Sequence, residues 1–259
     1  MAVIRITTLS QYTCAEVQIS VLLPDRVKED IPVLYLLHGG MGFDGDWLQQ
    51  RNVARYANDK GIAHNMPGAG ASRWLKMAWG PDYEKYVTEE LPELVARFFP
   101  SITKDPEKTY IGGLSMGGGG AMELGLMHPE QYAAICCLST SSVIPLEHLR
   151  LGGITPPGPG GTLSLSMVQT GHDDPDELRG TRYDILWQSE ENIRLGKKLP
   201  RIFHATGVQD HGIEVALAIR KHFLSLEGNP YRYEFFAENM THCWEFWDAW
   251  ILRFLETVG

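Results

Sequence analysis

The sequence predicts an α/β domain with a mostly parallel, doubly wound sheet and helices on both faces. Strand-like and helix-like segments alternate along nearly the whole chain, which is the pattern of such a sheet. Residues 31–37 form a nearly continuous apolar run, typical of a parallel strand buried on both faces. A glycine-flanked pentapeptide, residues 113–117, stands between a strand-like and a helix-like segment. We therefore expect a single domain over residues 1–259.

The predicted strands are short runs rich in apolar, β-branched or aromatic residues. In chain order they are 17–23, 31–37, 61–66, 109–111, 132–138, 201–206 and 231–235. The predicted helices lie between and after them, at 46–57, 82–99, 121–127, 181–195, 213–226 and 244–257. In the longest, Val87, Leu91, Leu94 and Phe98 share one helical face. A Gly-Asn-Pro turn at 228–230 introduces the last strand.

One segment interrupts this alternation. Residues 142–180 are rich in glycine and proline, with the run Pro-Pro-Gly-Pro-Gly-Gly at 156–161. Long irregular insertions in compact domains are either functional lids or loops without structure of their own. The sequence predicts a cap or lid here and leaves a plain surface loop as the alternative.

Composition excludes several classes of function. The 259 residues carry a formal net charge of −9, which disfavours a nucleic-acid partner because such a partner requires a basic face. The N-terminus has no apolar signal segment, and no apolar run reaches the length of a membrane span. The cysteines Cys14, Cys136, Cys137 and Cys243 have no C-x-x-C spacing. We expect free thiols in the cytoplasm, and no metal centre, cofactor or nucleotide site.

The pentapeptide Gly113-Leu114-Ser115-Met116-Gly117 predicts a nucleophile. A serine on a sharp turn from strand to helix is the nucleophile elbow of α/β-hydrolases. The turn strains the serine backbone, at a cost of about 1–3 kcal/mol. Glycines two residues away on either side make room for it. Three further glycines follow Gly117, which indicates close packing of the helix backbone.

A nucleophilic serine requires a base and an acid that orients the base, in the chain order Ser, Asp or Glu, His. Among nine histidines, order, helical position or the insert disfavours all except His211 and His242. His242 lies in a loop between the last strand and the last helix, whereas His211 adjoins the best acid and is poorly placed to face it. Asp210 is that acid, since it follows strand 201–206; an N-cap is its alternative role.

Two backbone N–H groups are expected to stabilise the oxyanion. One belongs to Met116, the residue after the nucleophile. The other belongs to the loop His38-Gly39-Gly40 after the first buried strand, where Gly40 is the preferred donor and Gly39 the alternate.

These motifs resemble the esterase D family, in particular its tributyrin esterase branch. The resemblance rests on segments 33–40, 46–48, 90–94, 113–118 and 241–247. It implies the α/β-hydrolase fold and a cytoplasmic serine carboxylesterase that cleaves short acyl esters without a cofactor. S-formylglutathione hydrolases, feruloyl and acetylxylan esterases and mycolyltransferases are relatives. A thioesterase, feruloyl or acetyl-sugar esterase or acyltransferase with the same triad therefore stays open.

By this resemblance the triad falls on Ser115, Asp210 and His242, and the oxyanion donors on Gly40 and Met116. Gly39, Trp47 and Trp79 are expected to border the substrate. The expected partner is a small acyl ester, with no membrane or nucleic acid, and association with further copies of the chain stays open.

Shortening residues 156–161 tests the predicted cap. If the insert limits acyl length, the deletion variant shifts its relative rates on acetyl, butyryl and longer p-nitrophenyl esters. Retained labelling of Ser115 by a fluorophosphonate is the control for an intact site. An unchanged chain-length profile in a stable variant would make the insert a surface loop.

Overall fold

The computed structural model describes residues 1–25, 29–50, 52–140, 170–172 and 175–259. Within these ranges, eight strands form one sheet in the order β1-β2-β4-β3-β5-β6-β7-β8. The strands are β1 (Ala2–Ser10), β2 (Ala15–Leu23), β3 (Val33–Leu37), β4 (Ala63–Pro67), β5 (Thr109–Leu114), β6 (Ala134–Leu138), β7 (Arg201–Gly207) and β8 (Glu234–Glu238).

The predicted mostly parallel sheet is confirmed. All pairs from β4 through β8 are parallel, and only β2 runs against its two neighbours, β1 and β4. Every residue of β3, β4 and β6 is buried, as expected for central strands covered on both faces.

Helices cover both faces of the sheet. They are α1 (Asp46–Gln50), α2 (Val53–Lys60), α3 (Tyr83–Lys85), α4 (Leu91–Phe98), α5 (Met116–Met127), α6 (Ile185–Arg194), α7 (Ile213–Ser225) and α8 (Trp244–Val258). One core cluster contains buried residues of α4, α5, α6 and α7. A second cluster, on the opposite face, contains those of α1, α2 and α8.

Two strands differ from the sequence prediction. The sequence analysis assigned no strand to β1, an edge strand whose side chains are mostly exposed, so it has no clear apolar pattern. The last strand begins at Glu234 and not at residue 231. The aromatic residues Tyr231 and Tyr233 precede the strand and are buried in the core, where their hydroxyls bond the Ser189 carbonyl and the His204 ring.

The long predicted helix 82–99 contains a π-helical turn. Tyr86–Glu90 is π-helical and separates α3 from α4. The extra residue of a π turn rotates the apolar face of the helix that follows. In α4, Leu91 and Val95 are buried, whereas Phe98, which the simple helical period places on the buried face, is 47% exposed.

Two other helices differ from the sequence prediction in their boundaries. The predicted helix 46–57 is two helices, α1 and α2, and the Asn52 N–H between them is held by the Asp248 carboxylate at 3.1 Å. The helix after the pentapeptide begins at Met116 and not at residue 121, so all four consecutive glycines are helical.

The predicted cap lies largely outside the described residues. Of residues 142–180, the structure describes only 170–172 and 175–180, where Pro175–Leu178 forms a 3-10 turn. In the part of the chain that is described, no helix is both long enough and apolar enough to cross a membrane.

Gly117 allows the first turn of α5 to touch the end of β3. A Cβ at this position would lie 2.5 Å from the carbonyl oxygens of both Leu37 and His38. These are backbone atoms, so they cannot move aside as a flexible side chain could. Gly117 therefore sets how closely α5 approaches the sheet.

Gly117→Ala should destabilise the protein by about 1–3 kcal/mol, the usual cost of overpacking. This clash outweighs the gain of up to about 1 kcal/mol that alanine brings to a helix. Urea unfolding measures the difference. Gly40→Ala is the matched control, because a Cβ there meets nothing within 4 Å. Equal stability of the two variants would contradict the packing argument.

Candidate active site

Ser115 occupies the turn between β5 and α5 in a strained conformation. Its φ of 54° and ψ of −117° are rare for a residue with a side chain. The Ser115 N–H donates to the Leu138 carbonyl at the end of β6 (2.8 Å), and its carbonyl accepts from the Gly119 N–H (3.0 Å). These bonds fix the turn, and the serine stays half-buried.

Asp210 and His242 form a hydrogen-bonded pair. The Nδ1 atom of His242 lies 2.8 Å from Oδ2 of Asp210. The Asp210 side chain is fully buried, whereas 21% of the His242 side chain is exposed. A buried carboxylate at Nδ1 fixes the imidazole orientation and leaves Nε2 to exchange a proton with a reacting group.

The Asp210 carboxylate is held in its charged form. Burial raises its pKa, because removal from water disfavours the charge. Three hydrogen bonds lower the pKa and outweigh burial, so it lies below its ordinary value; their donors are His242, the Gly212 N–H and the Ser139 hydroxyl. The Gly212 bond is 2.8 Å long. Helix α7 begins after it, at Ile213, so Asp210 is not the N-cap of that helix.

The loop that carries His242 is hydrogen-bonded to the segment that follows β7. The Gln209 N–H donates to the Met240 carbonyl at 3.0 Å. This approach is possible because Gly207 has no side chain: a Cβ there would lie 2.1 Å from the Met240 oxygen. The ring of His242 packs edge-on against Trp247, with centroids 4.9 Å apart.

Ser139 links this pair to the nucleophile turn. It follows Leu138, which binds the Ser115 N–H, and its hydroxyl also accepts from the Trp247 indole at 2.9 Å. The structure thus brings Ser115, Asp210 and His242 to the carboxyl ends of β5, β7 and β8, on the same edge of the sheet. The sequence analysis did not identify Ser139, since an isolated serine after a strand carries no distinguishing signal.

His211 lies closer to the acid than the sequence suggested. Its Nδ1 is 3.7 Å from Oδ1 of Asp210, so it does face the carboxylate. Its ring lies beside that of His242, with centroids 4.3 Å apart. The sequence argument failed because Asp210 turns one oxygen toward each histidine. His242 still makes the shorter contact.

The two expected oxyanion donors lie in the turn after Ser115 and in the loop after β3. Met116 is the first residue of α5, and Gly40 is exposed in the loop after β3, while Gly39 is buried beneath it. Among the described residues, no backbone carbonyl accepts from the N–H of Gly40 or Met116. Their role as donors to a substrate oxygen stays a prediction.

His38 anchors the loop that carries Gly40. Its Nδ1 donates to the Gly39 carbonyl (2.7 Å), and its Nε2 accepts from the Ala69 N–H (3.0 Å). Burial lowers the pKa of His38 to about 4, although the Gly39 carbonyl opposes this. The imidazole is therefore neutral at pH 7 and serves as a fixed donor and acceptor.

Two tryptophans hold the carbonyls just before this loop. The Trp47 indole donates to the Leu37 carbonyl at 3.2 Å, and the Trp74 indole to the His38 carbonyl at 3.3 Å. Trp47 is only 1% exposed, so its position supports a role in the core and does not support the substrate contact expected from the sequence. Trp79 is 59% exposed, and its contact with substrate stays a prediction.

A buried ion pair connects α5 to the segment that contains Arg73. Arg73 Nη2 lies 3.0 Å from Oε1 of Glu123, whose side chain is fully buried. Burial raises the pKa of Glu123 to about 7, and Arg73 opposes that rise. Arg73 and Trp74 both have positive φ, so this segment is strained where it crosses α5. The sequence analysis missed this pair, because its members are 50 residues apart.

Comparison with known proteins identifies the family of this chain. A family model described as "Putative esterase" matches residues 10–258. An acetyl esterase of Caldicellulosiruptor saccharolyticus is 28% identical, over 100% of this chain and 98% of its own.

Two structures from Staphylococcus aureus are similar in fold. The fluorophosphonate-binding serine hydrolase F has a TM-score of 0.87 at 22% identity, covering 99% of this chain and 98% of its own. An S-formylglutathione hydrolase has a TM-score of 0.84 at 22% identity, with the same coverage. The expected α/β-hydrolase fold is confirmed.

Proposed function

Because this chain belongs to the esterase family and is a serine carboxylesterase, we propose that it cleaves short-chain acyl esters with Ser115, His242 and Asp210 as its triad. The observation that carries the proposal is the 2.8 Å bond from His242 to Asp210 beside the strained turn of Ser115. The acetyl esterase relative, similar along the whole chain, supports a small acyl group.

The reaction follows from the positions of these groups. His242 Nε2 takes the Ser115 hydroxyl proton while the serine oxygen attacks the ester carbonyl. The buried Asp210 carboxylate stabilises the imidazolium that results. His242 then returns the proton to the leaving alcohol, which leaves an acyl-serine. Water, deprotonated by the same imidazole, releases the acid and restores the serine.

The negative oxygen formed at each step is assigned to the N–H groups of Gly40 and Met116. Each donor of this kind accelerates acyl transfer by roughly 10²–10³-fold. The neutral His38 ring and the two indole donors hold the preceding backbone in place, so these amides need not reorganise during the reaction.

A thioester substrate is the second candidate, and the fold similarity to an S-formylglutathione hydrolase supports it. The tetrahedral intermediate and its stabilisation are the same. A panel of acetyl and butyryl esters, acetylated sugars, feruloyl esters and S-formylglutathione separates the candidates by kcat/KM.

We propose a cytoplasmic location, which the four free cysteines support.

Ser115→Ala should abolish turnover of p-nitrophenyl acetate and covalent labelling by a fluorophosphonate, because no attacking oxygen is left. The circular dichroism spectrum should match that of the unmodified protein. Substantial turnover by a pure, folded Ser115→Ala sample would rule out this serine as the nucleophile.

His242→Ala should lower kcat by several orders of magnitude, since it removes the group that accepts the serine proton. His211→Ala is the matched control: it removes a neighbouring imidazole that also faces Asp210, and its effect on kcat should be far smaller. The opposite ranking would assign the base to His211. Steady-state kinetics on p-nitrophenyl acetate measures both.

A further inference from the structure

Three potential metal-ligating side chains meet at the edge of the site. One ligand atom from each of Asp210, His211 and His242 lies within 4.8 Å of the other two. The two histidines approach different oxygens of one carboxylate, at 3.7 Å and 2.8 Å. The His211 side chain is 65% exposed, so this ligand is open to solvent, whereas the Asp210 side chain is fully buried.

Two imidazoles and one carboxylate form a donor set suited to zinc. Zn²⁺ binds histidine nitrogen at about 2.0–2.1 Å and carboxylate oxygen at about 2.0–2.2 Å, often with water as the fourth ligand. These bond lengths in a tetrahedral site place ligand atoms about 3.3 Å apart, and the two contacts of Asp210, at 2.8 Å and 3.7 Å, are close to that separation. Mg²⁺ and Ca²⁺ prefer oxygen ligands and do not suit this set.

We propose that Asp210, His211 and His242 form a binding site through which Zn²⁺ inhibits this enzyme. The proposal rests on the proposed function only in its effect on catalysis, because metal binding itself requires no nucleophile. His211 supplies the accessible ligand, and the triad pair supplies the other two.

Inhibition follows from the chemistry of His242. Zn²⁺ binds Nδ1 through the lone pair of this nitrogen, so the ring proton that Nδ1 donates to Asp210 must move to Nε2. Nε2 then carries a proton where it would accept one from Ser115, and the imidazole loses the hydrogen bond that orients it. The nearby dication also disfavours an imidazolium. His242 can no longer accept the serine proton efficiently.

The surroundings of Asp210 favour the site. The Gly212 N–H and the Ser139 hydroxyl hold its carboxylate from the buried side. Partners of this kind orient metal ligands and strengthen binding. The carboxylate is therefore fixed before an ion arrives, and His211 completes the site from the solvent side.

Activity on p-nitrophenyl acetate, measured against increasing Zn²⁺, tests the proposal. We expect saturable inhibition that EDTA reverses, and no inhibition by Mg²⁺. His211→Phe keeps a ring beside His242 but removes the ligand nitrogen. It should raise the inhibition constant at least about tenfold, relative to its own activity without metal. His211→Ala is the second variant, in case phenylalanine disturbs folding.

Gln209→Ala is the matched control, because Gln209 is exposed in the same loop and contacts Asn239 instead of the three ligands. It should keep full zinc sensitivity. Unchanged sensitivity of both His211 variants would overturn the proposal, as would equal inhibition by Mg²⁺.

Direct zinc binding separates this proposal from the proposed function. Competition with a chromophoric zinc chelator should show one site in the unmodified protein and in Ser115→Ala, and loss of that site in His211→Phe. Binding without esterase turnover would refute the proposed triad and leave the metal site standing. Turnover without zinc binding would refute the metal site alone.

Discussion

The contact between the first turn of α5 and the end of β3 is the constraint on which the site depends. Gly117 lies against the carbonyls of Leu37 and His38 with no room for a side chain. The same turn holds Ser115 at positive φ. Strain of this kind persists only where the surroundings fix it. The bonds of Ser115 to Leu138 and Gly119 supply that fixation.

The same strand end also positions the loop that we propose binds the oxyanion. The carbonyls that face Gly117 accept hydrogen bonds from Trp47 and Trp74. The nucleophile helix and the loop that carries Gly40 are therefore positioned by one short stretch of backbone. Donors fixed before the substrate arrives need no reorganisation during reaction, which is the main source of catalysis by an oxyanion hole.

A single buried carboxylate connects the catalytic pair to its neighbour. Asp210 directs one oxygen to His242 and the other toward His211. Buried carboxylates stay charged only when several donors share the charge, and here Gly212 and Ser139 do so on the protein side. The arrangement that orients a base for proton transfer thus resembles the donor set of a transition-metal ion. The exposed imidazole of His211 is the additional ligand that the proposed metal site requires and that proton transfer does not use.

The sequence by itself determined the parallel sheet, and it predicted the nucleophile, acid and base. Periodicity and the glycines around Ser115 are local signals, so they can be read along the chain. The Arg73–Glu123 pair was missed because its members lie 50 residues apart, whereas edge strand β1 and the π turn are local features without a regular apolar pattern. Trp47, expected at the substrate, is buried in the core, where its indole donates to the Leu37 carbonyl. Only the tertiary structure decided the Arg73–Glu123 and Trp47–Leu37 contacts, because each forms where segments that are distant in the sequence pack against each other.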